Sequence, residues 1–251
     1  MTNHAPATCP TPAIVILAAG KGTRMKSRLP KVLHPLAGRP LIDHVLELAR
    51  SLEPDRTIVV VGYRADQVRQ HLAGRPGLRF ALQEPQLGTG HAVMAAADQL
   101  ADYHGPVLVL YGDVPGLTHA TAAQLLAEHQ AQGNALTVLA MDLKHPGAYG
   151  RLVTDATGRL TAIVEARDAT ERQRRITLVN SGIYVIDNQP MLAGLKDLRP
   201  DNQQAEYYLT DLVGLFVARG LKVGWSLCPD PAEVAGVNSA AELKALAERL
   251  G

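Results

Sequence analysis

Residues 13–31 read AIVILAAGKGTRMKSRLPK and join an apolar run to a basic loop that contains two glycines. The continuous apolar run, residues 13–19, predicts a strand buried on both faces. Gly20 and Gly22 allow the backbone to turn tightly, so that N–H groups can approach an anion. No acidic residue lies between Gly20 and Asp43, whereas the same interval contains Lys21, Arg24, Lys26, Arg28, Lys31 and Arg39. The stretch predicts a loop that binds a small, highly charged anion such as a polyphosphate.

Two common phosphate-binding motifs do not fit this loop. Met25 stands where a dinucleotide-binding fingerprint needs its third glycine, and no glycine precedes the Gly20-Lys21 pair at the spacing of a Walker loop. A basic turn exposed to solvent is the remaining alternative.

The composition limits the class of protein. The chain has 251 residues, of which 47% are hydrophobic and 20% charged, enough to build a large core. With 25 basic and 24 acidic residues the net charge is +1, which argues against a nucleic-acid-binding surface. Cys9 and Cys228 predict no disulfide framework. The absence of a signal-like segment and of a run of ~20 apolar residues predicts a cytoplasmic protein with no membrane partner.

Strands and helices alternate along the first half of the chain. We predict strands at residues 13–19, 57–62, 79–83 and 106–111, and helices at residues 41–52, 65–72, 89–100 and 118–130. This alternation is typical of an α/β fold with a Rossmann-like, mainly parallel sheet covered by helices on both faces. Ligands of such sheets bind at the carboxyl ends of the strands, where Gln83, Asp113 and the loop at Gly20 are expected.

The pattern changes near residue 135. Four strands with turn signals between them predict an inserted antiparallel region at about residues 135–190, on one side of the substrate cleft. Two helices, a strand at 222–227 and a final helix at 239–250 complete the prediction. The expected organisation is a tail at 1–12 and one domain at 13–251.

Several ordered motifs resemble those of one enzyme family. The basic loop is similar to the signature of sugar-1-phosphate nucleotidyltransferases. The motifs that follow it are QEPQLGTGHA from Gln83, YGDVP from Tyr111, YGR from Tyr149, IVEARDAT from Ile163, VNSG from Val179, EYYLTD from Glu206 and GVN from Gly236. In this order they resemble the uridyltransferase domains of bacterial bifunctional N-acetylglucosamine-1-phosphate uridyltransferase/glucosamine-1-phosphate acetyltransferases. The resemblance implies the nucleotide-diphospho-sugar transferase fold.

The same resemblance implies an activity and a nucleotide site. The expected reaction transfers UMP from UTP to N-acetyl-α-D-glucosamine 1-phosphate, with Mg²⁺ as cofactor. The nucleotide would be held by Leu17, Ala18, Ala19, Gly20, Gly22, Lys31, Gln83, Gly88, Thr89, Tyr111, Gly112 and Asp113. A glutamine amide offers both a donor and an acceptor to a uracil edge. Taken without the resemblance, the segment from Gln83 to Thr89 is an ordinary strand, turn and helix start.

Catalytic and metal-binding roles also follow from the resemblance. It assigns Arg24 and Lys31 to catalysis, and Asp113 and Asn238 to one Mg²⁺, an ion that takes oxygen ligands and few protein groups. The alternatives are that Asp113 caps a strand and that Asn238 is the N-cap of the last helix.

A sugar-binding set is implied as well. It comprises Gly150, Glu165, Asn180, Tyr208, Thr210 and Asn238. Glu165 and Asn180 are polar residues in apolar strands, and the alternative is that they satisfy hydrogen bonds inside the core.

Two departures from the family pattern bear on function. Arg167 stands where the family usually has lysine, which retains the charge but changes its geometry. The 251 residues contain no hexapeptide repeat, so acetyl transfer is not expected of them. The alternative functions are another sugar-1-phosphate nucleotidyltransferase, using UTP or dTTP with glucose 1-phosphate, and a catalytically silent nucleotide-sugar-binding regulatory module.

Overall fold

The computed structural model describes residues 11–250. The expected tail at 1–12, with Cys9, lies outside these residues except for Thr11 and Pro12. The strands are β1 (Ala13–Ala18), β2 (Pro35–Leu36), β3 (Arg39–Pro40), β4 (Arg56–Val61), β5 (Leu78–Leu82), β6 (Pro106–Tyr111), β7 (Leu136–Asp142), β8 (Arg151–Thr154), β9 (Leu160–Val164), β10 (Leu178–Asp187) and β11 (Val223–Leu227). The α-helices are α1 (Leu41–Ser51), α2 (Ala65–His71), α3 (Thr89–Ala95), α4 (His119–Gln132), α5 (Glu171–Arg174), α6 (Asn188–Leu195), α7 (Asp211–Ala218) and α8 (Ala240–Leu250).

The central sheet has the strand order β11-β7-β10-β6-β1-β4-β5. The pairs β1·β4, β1·β6, β4·β5 and β7·β11 are parallel, whereas β10 runs antiparallel to both β6 and β7. The predicted mainly parallel α/β sheet is therefore confirmed.

Helices cover both faces of this sheet because its strands are apolar on both sides. The odd-numbered residues of β1 pack in one core with residues of α3, α6 and α7. The even-numbered residues pack in a second core with residues of α1, α2 and α4. Residues 13–18 are all buried, as the continuous apolar run predicts.

The region after residue 135 divides between the central sheet and a hairpin. Strands β7 and β10 continue the central sheet, whereas β8 and β9 pair with each other and β8 joins β10 at Arg151 and Val179. The hairpin extends the sheet beside the carboxyl end of β6. The division of the chain at residues 135 and 190 stays a prediction.

Some helix limits differ from the predicted ones. The helix expected at 89–100 changes at Ala96 into a 3-10 turn over Ala97–Leu100, where Asn188 Nδ2 donates a hydrogen bond to Leu100 O at 2.7 Å. Helix α7 begins at Asp211 rather than at Tyr208, because the preceding residues bond to other elements: Thr89 Oγ1 accepts from Leu209 N at 3.1 Å. In residues 11–250 no helix combines the length and hydropathy needed to span a bilayer.

Candidate active site

The carboxyl ends of β1, β5 and β6 open into a cavity of about 340 Å³. The lining contains every residue predicted to bind nucleotide except Gly22 and Gly112: Leu17, Ala18, Ala19, Gly20, Lys31, Gln83, Gly88, Thr89, Tyr111 and Asp113. Gly22 and Gly112 instead contact residues of the lining, Gly22 at Lys31 and Gly112 at Leu17. Gly112 N donates to Leu17 O at 2.9 Å, which holds the exit of β6 beside the exit of β1.

Gly22 shapes the basic loop by packing against Lys31. Its φ of +59° is in the left-handed region, and a Cβ built on it would lie 2.7 Å from Lys31 Cβ. A 3-10 turn, Thr23–Met25, follows, and the buried Met25 side chain anchors the loop to the core. Gly20, by contrast, has no heavy atom within 4 Å of such a Cβ.

These two glycines provide a matched test of the loop. We expect Gly22→Ala to lower the free energy of unfolding by about 2–4 kcal/mol, because an L-residue is strained in the left-handed region and the new Cβ would clash with Lys31 Cβ. Gly20→Ala should change it by less than about 0.5 kcal/mol, since the site has neither positive φ nor a neighbour. Urea unfolding of both variants measures the difference, and equal losses would contradict this account of Gly22.

Four side chains from distant parts of the sequence meet at the mouth of the cavity. The Lys31 ammonium forms an ion pair with Asp113 Oδ2 and donates to Asn238 Oδ1 at 3.1 Å. Arg24 Nη2 donates to the same Asn238 oxygen at 2.8 Å. The structure thus brings together both predicted catalytic cations and both predicted metal ligands.

The start of helix α8 does not use the Asn238 side chain, which is therefore available for these contacts. Ser239 Oγ accepts from Glu242 N at 3.2 Å, and Glu242 Oε2 accepts from the backbone N–H groups of Ser239 at 3.1 Å and Asn238 at 2.6 Å. These bonds form a capping box with Ser239 at the N-cap. The alternative interpretation of Asn238 as the N-cap is therefore wrong, and its carboxamide points to Lys31 and Arg24.

Asp113 and Asn238 suit a hard cation because their oxygens converge on one positive group. The Lys31 ammonium already lies between Asp113 Oδ2 and Asn238 Oδ1, so it marks a point where a cation is stabilised. No group of three or more His, Cys, Asp or Glu side chains within residues 11–250 is arranged to hold a metal. A Mg²⁺ ion here would take its other ligands from phosphate and water, as this ion commonly does.

Gln83 also lines the first cavity, and its carboxamide has a fixed orientation. Its Nε2 donates to Gly88 O at 2.9 Å, and the side chain is buried. Gly88 has a φ of +104° and its missing Cβ would lie 2.6 Å from Tyr207 O, so the turn packs tightly on that segment. Around Gln83 and Gly88 the cavity offers amide and backbone groups, together with Glu206, whose Cβ lies 2.9 Å from a Cβ built on Gly88.

A second cavity of about 250 Å³ adjoins the first. Its lining includes five of the six residues predicted to bind sugar, Gly150, Glu165, Asn180, Tyr208 and Thr210. The sixth, Asn238, lies with the cations instead. Thr89, Tyr111 and Glu206 line both cavities, so the two form one continuous cleft.

Burial controls the ionisable groups of the second cavity. Burial raises the pKa of Glu165. A hydrogen bond of 3.3 Å from Thr210 Oγ1 lowers this pKa, whereas the nearby Asp168 and Asp211 raise it further. Burial also raises the pKa of Tyr111, with smaller contributions from Glu165 and Asp113. The Tyr111 phenol therefore stays neutral between the two cavities.

Asp211, which lies near Glu165, makes the stability of the folded protein depend on pH. Burial, and then the Asp168 carboxylate, raises the pKa of Asp211 to about 6. The folded state consequently binds more protons than the unfolded state between about pH 4 and pH 6, so the free energy of unfolding falls as the pH rises through this interval. The stabilising form is the protonated one.

We therefore expect Asp211→Asn, which cannot ionise, to lose less stability than the wild type as the pH rises. The wild type should lose about 1–2 kcal/mol more of its free energy of unfolding than the variant, a value kept small because Asp211 is only partly shielded from solvent. Urea unfolding at about pH 4.5 and about pH 8 measures it. Parallel stability profiles for the two proteins would contradict the raised pKa.

The structure adds cleft residues that the sequence analysis did not assign. Glu206 and Tyr149 lie within motifs quoted for the resemblance, which was a usable signal. Gln86 likewise lies within the motif that begins at Gln83, and Lys21 was counted only among the cations of the loop. Tyr184 gave no signal, because an aromatic residue in an apolar strand indicates core.

Comparisons with known proteins find relatives of this chain along most of its length. The model of the MobA-like NTP transferase domain matches residues 14–177. A protein of Ralstonia nicotianae called Bifunctional protein GlmU is 52% identical over 233 residues, which is 93% of this chain and 50% of the relative. A protein of the same name from Trichlorobacter lovleyi is 48% identical over 231 residues, 92% of this chain and 50% of the relative. The chain thus spans about half the length of these curated relatives.

A solved structure shares the fold at low identity. The crystal structure of UDP-glucose pyrophosphorylase complexed with UDP-glucose superimposes with a TM-score of 0.74 at 17% identity, over 96% of this chain and 98% of the other. The likeness shows that this chain has the nucleotide-diphospho-sugar transferase fold.

Proposed function

The chain belongs to the MobA-like NTP transferase domain family, and from that premise we propose that it transfers UMP from UTP to N-acetyl-α-D-glucosamine 1-phosphate. The products are UDP-N-acetylglucosamine and pyrophosphate. Membership confirms the resemblance seen in the motifs, and relatives called Bifunctional protein GlmU favour this reaction among those of the family. We place the reaction in the cytoplasm.

One observation carries the proposal: a cluster of two cations and two oxygen donors lies at the mouth of a cleft with two compartments. Lys31, Arg24, Asp113 and Asn238 form the cluster. One compartment is lined by glycine backbone and Gln83, and the other by polar groups such as Glu165 and Asn180. Such a cleft suits a nucleoside triphosphate beside a polar sugar, with the charged phosphates between them.

In the first compartment we assign the nucleotide. Gln83, Gly88 and Thr89 would contact the base and nucleoside, and the backbone of Leu17, Ala18, Ala19 and Gly20 would line the nucleotide along the exit of β1. Tyr111 lines this compartment directly, whereas Gly22 and Gly112 adjoin it through Lys31 and Leu17. Gln83 suits uracil because its Nε2 is already bound to Gly88 O, which fixes which end of the amide is presented.

In the second compartment we assign the sugar phosphate. Glu165, Thr210 and Tyr208 would contact sugar hydroxyls, and Asn180 and the Gly150 backbone would contact the N-acetyl group. Gly150 O already accepts from Asn180 N at 2.8 Å, which holds these two positions together. Asn238 would face the phosphate end.

The chemistry requires positioning and charge neutralisation. A phosphate oxygen of the sugar 1-phosphate attacks the α-phosphorus of UTP, the new P–O bond forms, and the bond to the bridging oxygen of pyrophosphate breaks. The attacking oxygen is already anionic, so no strong general base is needed. Lys31 and Arg24 would neutralise the triphosphate and the leaving pyrophosphate, as preorganised cations do in phosphoryl transfer.

A divalent cation fits the oxygen pair of Asp113 and Asn238 because that pair already accepts a positive group; the cation would take the position of the Lys31 ammonium, which would then contact phosphate. Mg²⁺ bound there would neutralise phosphate charge and lower the repulsion between two anionic substrates.

A panel assay tests the proposal. Pyrophosphate release is measured with UTP, dTTP, ATP and GTP, each combined with N-acetylglucosamine 1-phosphate or glucose 1-phosphate. The expected result is turnover highest for UTP with N-acetylglucosamine 1-phosphate. Preference for glucose 1-phosphate or dTTP would support another sugar-1-phosphate nucleotidyltransferase, and no pyrophosphate from any pair would support the silent regulatory module.

A further inference from the structure

The inner wall of the second cavity contains Tyr184, a residue that the proposed function does not use. Tyr184 lies in β10 and is 1% exposed, yet it lines the cavity beside Asn180. Its hydroxyl oxygen accepts a hydrogen bond from Asn180 Nδ2 at 2.6 Å. The phenol therefore contacts the group to which we assign the N-acetyl end of the sugar phosphate.

The Asn180 carboxamide is held at both of its ends. Asn180 Oδ1 accepts from Gly182 N at 2.8 Å, and Nδ2 donates to the Tyr184 hydroxyl. A flipped amide would set Nδ2 against the Gly182 N–H, donor against donor. The two contacts together select one orientation, which leaves one N–H of Asn180 without a partner among residues 11–250.

A distortion of β10 creates this arrangement. The register with β7 shifts between Asn180 and Tyr184, and Gly182 has a φ of +92°. Ser181 Oγ donates to Leu139 O at 2.6 Å and accepts from Ile183 N at 3.1 Å, so side-chain bonds replace the ladder at this point. Such bulges re-aim a side chain toward a site.

We propose that Tyr184 is a positioning residue for the sugar phosphate: its hydroxyl fixes the Asn180 carboxamide so that the remaining Nδ2 hydrogen faces a carbonyl or hydroxyl oxygen of the sugar. The inference rests on the proposed function. A preset donor lowers the cost of ordering Asn180 when the ligand binds. Without the hydroxyl, the amide would be held at one end only.

The test is Tyr184→Phe, which retains the ring and removes only the hydroxyl. We expect KM for the sugar 1-phosphate to rise about tenfold, the effect of one lost hydrogen bond. KM for UTP and kcat should each change by less than about twofold, since the change lies away from the triphosphate. Unchanged KM for the sugar phosphate, or an equal rise in both KM values, would overturn the inference.

Tyr103→Phe is the matched control for a purely structural effect. Tyr103 is also buried, at the opposite end of the sheet. Its hydroxyl accepts from Ala13 N at 3.1 Å and has two alternative acceptors for its one hydrogen, Thr11 O at 2.6 Å and Pro106 O at 3.1 Å. This variant should lose stability without any change in KM. If it raises KM for the sugar phosphate as Tyr184→Phe does, the effect is general loosening and the inference fails.

A double-mutant cycle with Asn180→Ala tests whether Tyr184 changes KM through Asn180. If Tyr184 acts through Asn180, Tyr184→Phe should change KM by less than about twofold in the Asn180→Ala background. A full tenfold rise in that background would overturn the positioning role. Failure of the proposed function is distinguishable, because then the wild-type protein itself turns over no sugar phosphate and the inference falls with it.

Discussion

Replacement of Lys31 by alanine is expected to lower kcat/KM for pyrophosphate release by a factor on the order of 10² to 10³, the loss typical of a preorganised transition-state donor. The Lys31 ammonium is the charge best placed for this role, since it lies between Asp113 and Asn238 at the mouth of the nucleotide cavity. Steady-state kinetics with UTP and N-acetylglucosamine 1-phosphate measure the effect.

Lys26→Ala is the control in the same loop. Lys26 is exposed and lines neither cavity, so its removal tests whether basic charge near the cleft is sufficient. We expect a change of less than about threefold, the size of a long-range, screened charge effect. A near-normal rate for Lys31→Ala, or equal losses for the two variants, would contradict the catalytic assignment of Lys31.

Asp113→Asn is expected to lower activity by a factor on the order of 10³ and to remove its normal dependence on Mg²⁺. The variant replaces the only carboxylate of the Lys31–Asp113–Asn238 cluster with a neutral group, so the affinity for a divalent cation should fall. Magnesium titrations of activity and Mn²⁺ binding to the substrate-free protein, followed by electron paramagnetic resonance, give two independent measurements.

Asp142→Asn provides the comparison for this change. Asp142 is an exposed carboxylate at the end of β7, outside both cavities. It should retain the wild-type magnesium titration curve. An unchanged curve for Asp113→Asn would reject Asp113 as a metal ligand, even if activity were low.

The fold was largely predictable because its signals are local. The apolar run of β1, the helical spacing of Leu41, Val45 and Leu48, and the regular alternation of elements are each visible in short windows. The limits of α3 and α7 were not, because they depend on bonds to Asn188 and Thr89, residues far away in the chain. Short elements such as β2, β3 and α5 carry too few residues for periodicity to appear.

The contents of the site were also largely predictable, although its contacts were not. Motif order identified ten of the fifteen residues that line the first cavity and five sugar-binding residues of the second. It gave no sign of Tyr184, since an aromatic residue in an apolar strand indicates core and only the folded structure places its hydroxyl beside Asn180.

The amino-acid sequence alone determined a doubly covered, mainly parallel sheet and a basic glycine loop at its edge, because hydrophobic periodicity and glycine placement act over a few residues. Only the tertiary structure decided which side chains meet. Lys31 and Asn238 are 207 positions apart, yet Nζ and Oδ1 lie 3.1 Å from each other. Their contact requires that Ser239 cap α8 and that the exits of β1 and β6 lie side by side. Such a juxtaposition is a property of the packed chain, because charge and hydrogen-bond complementarity act through space and not along the sequence.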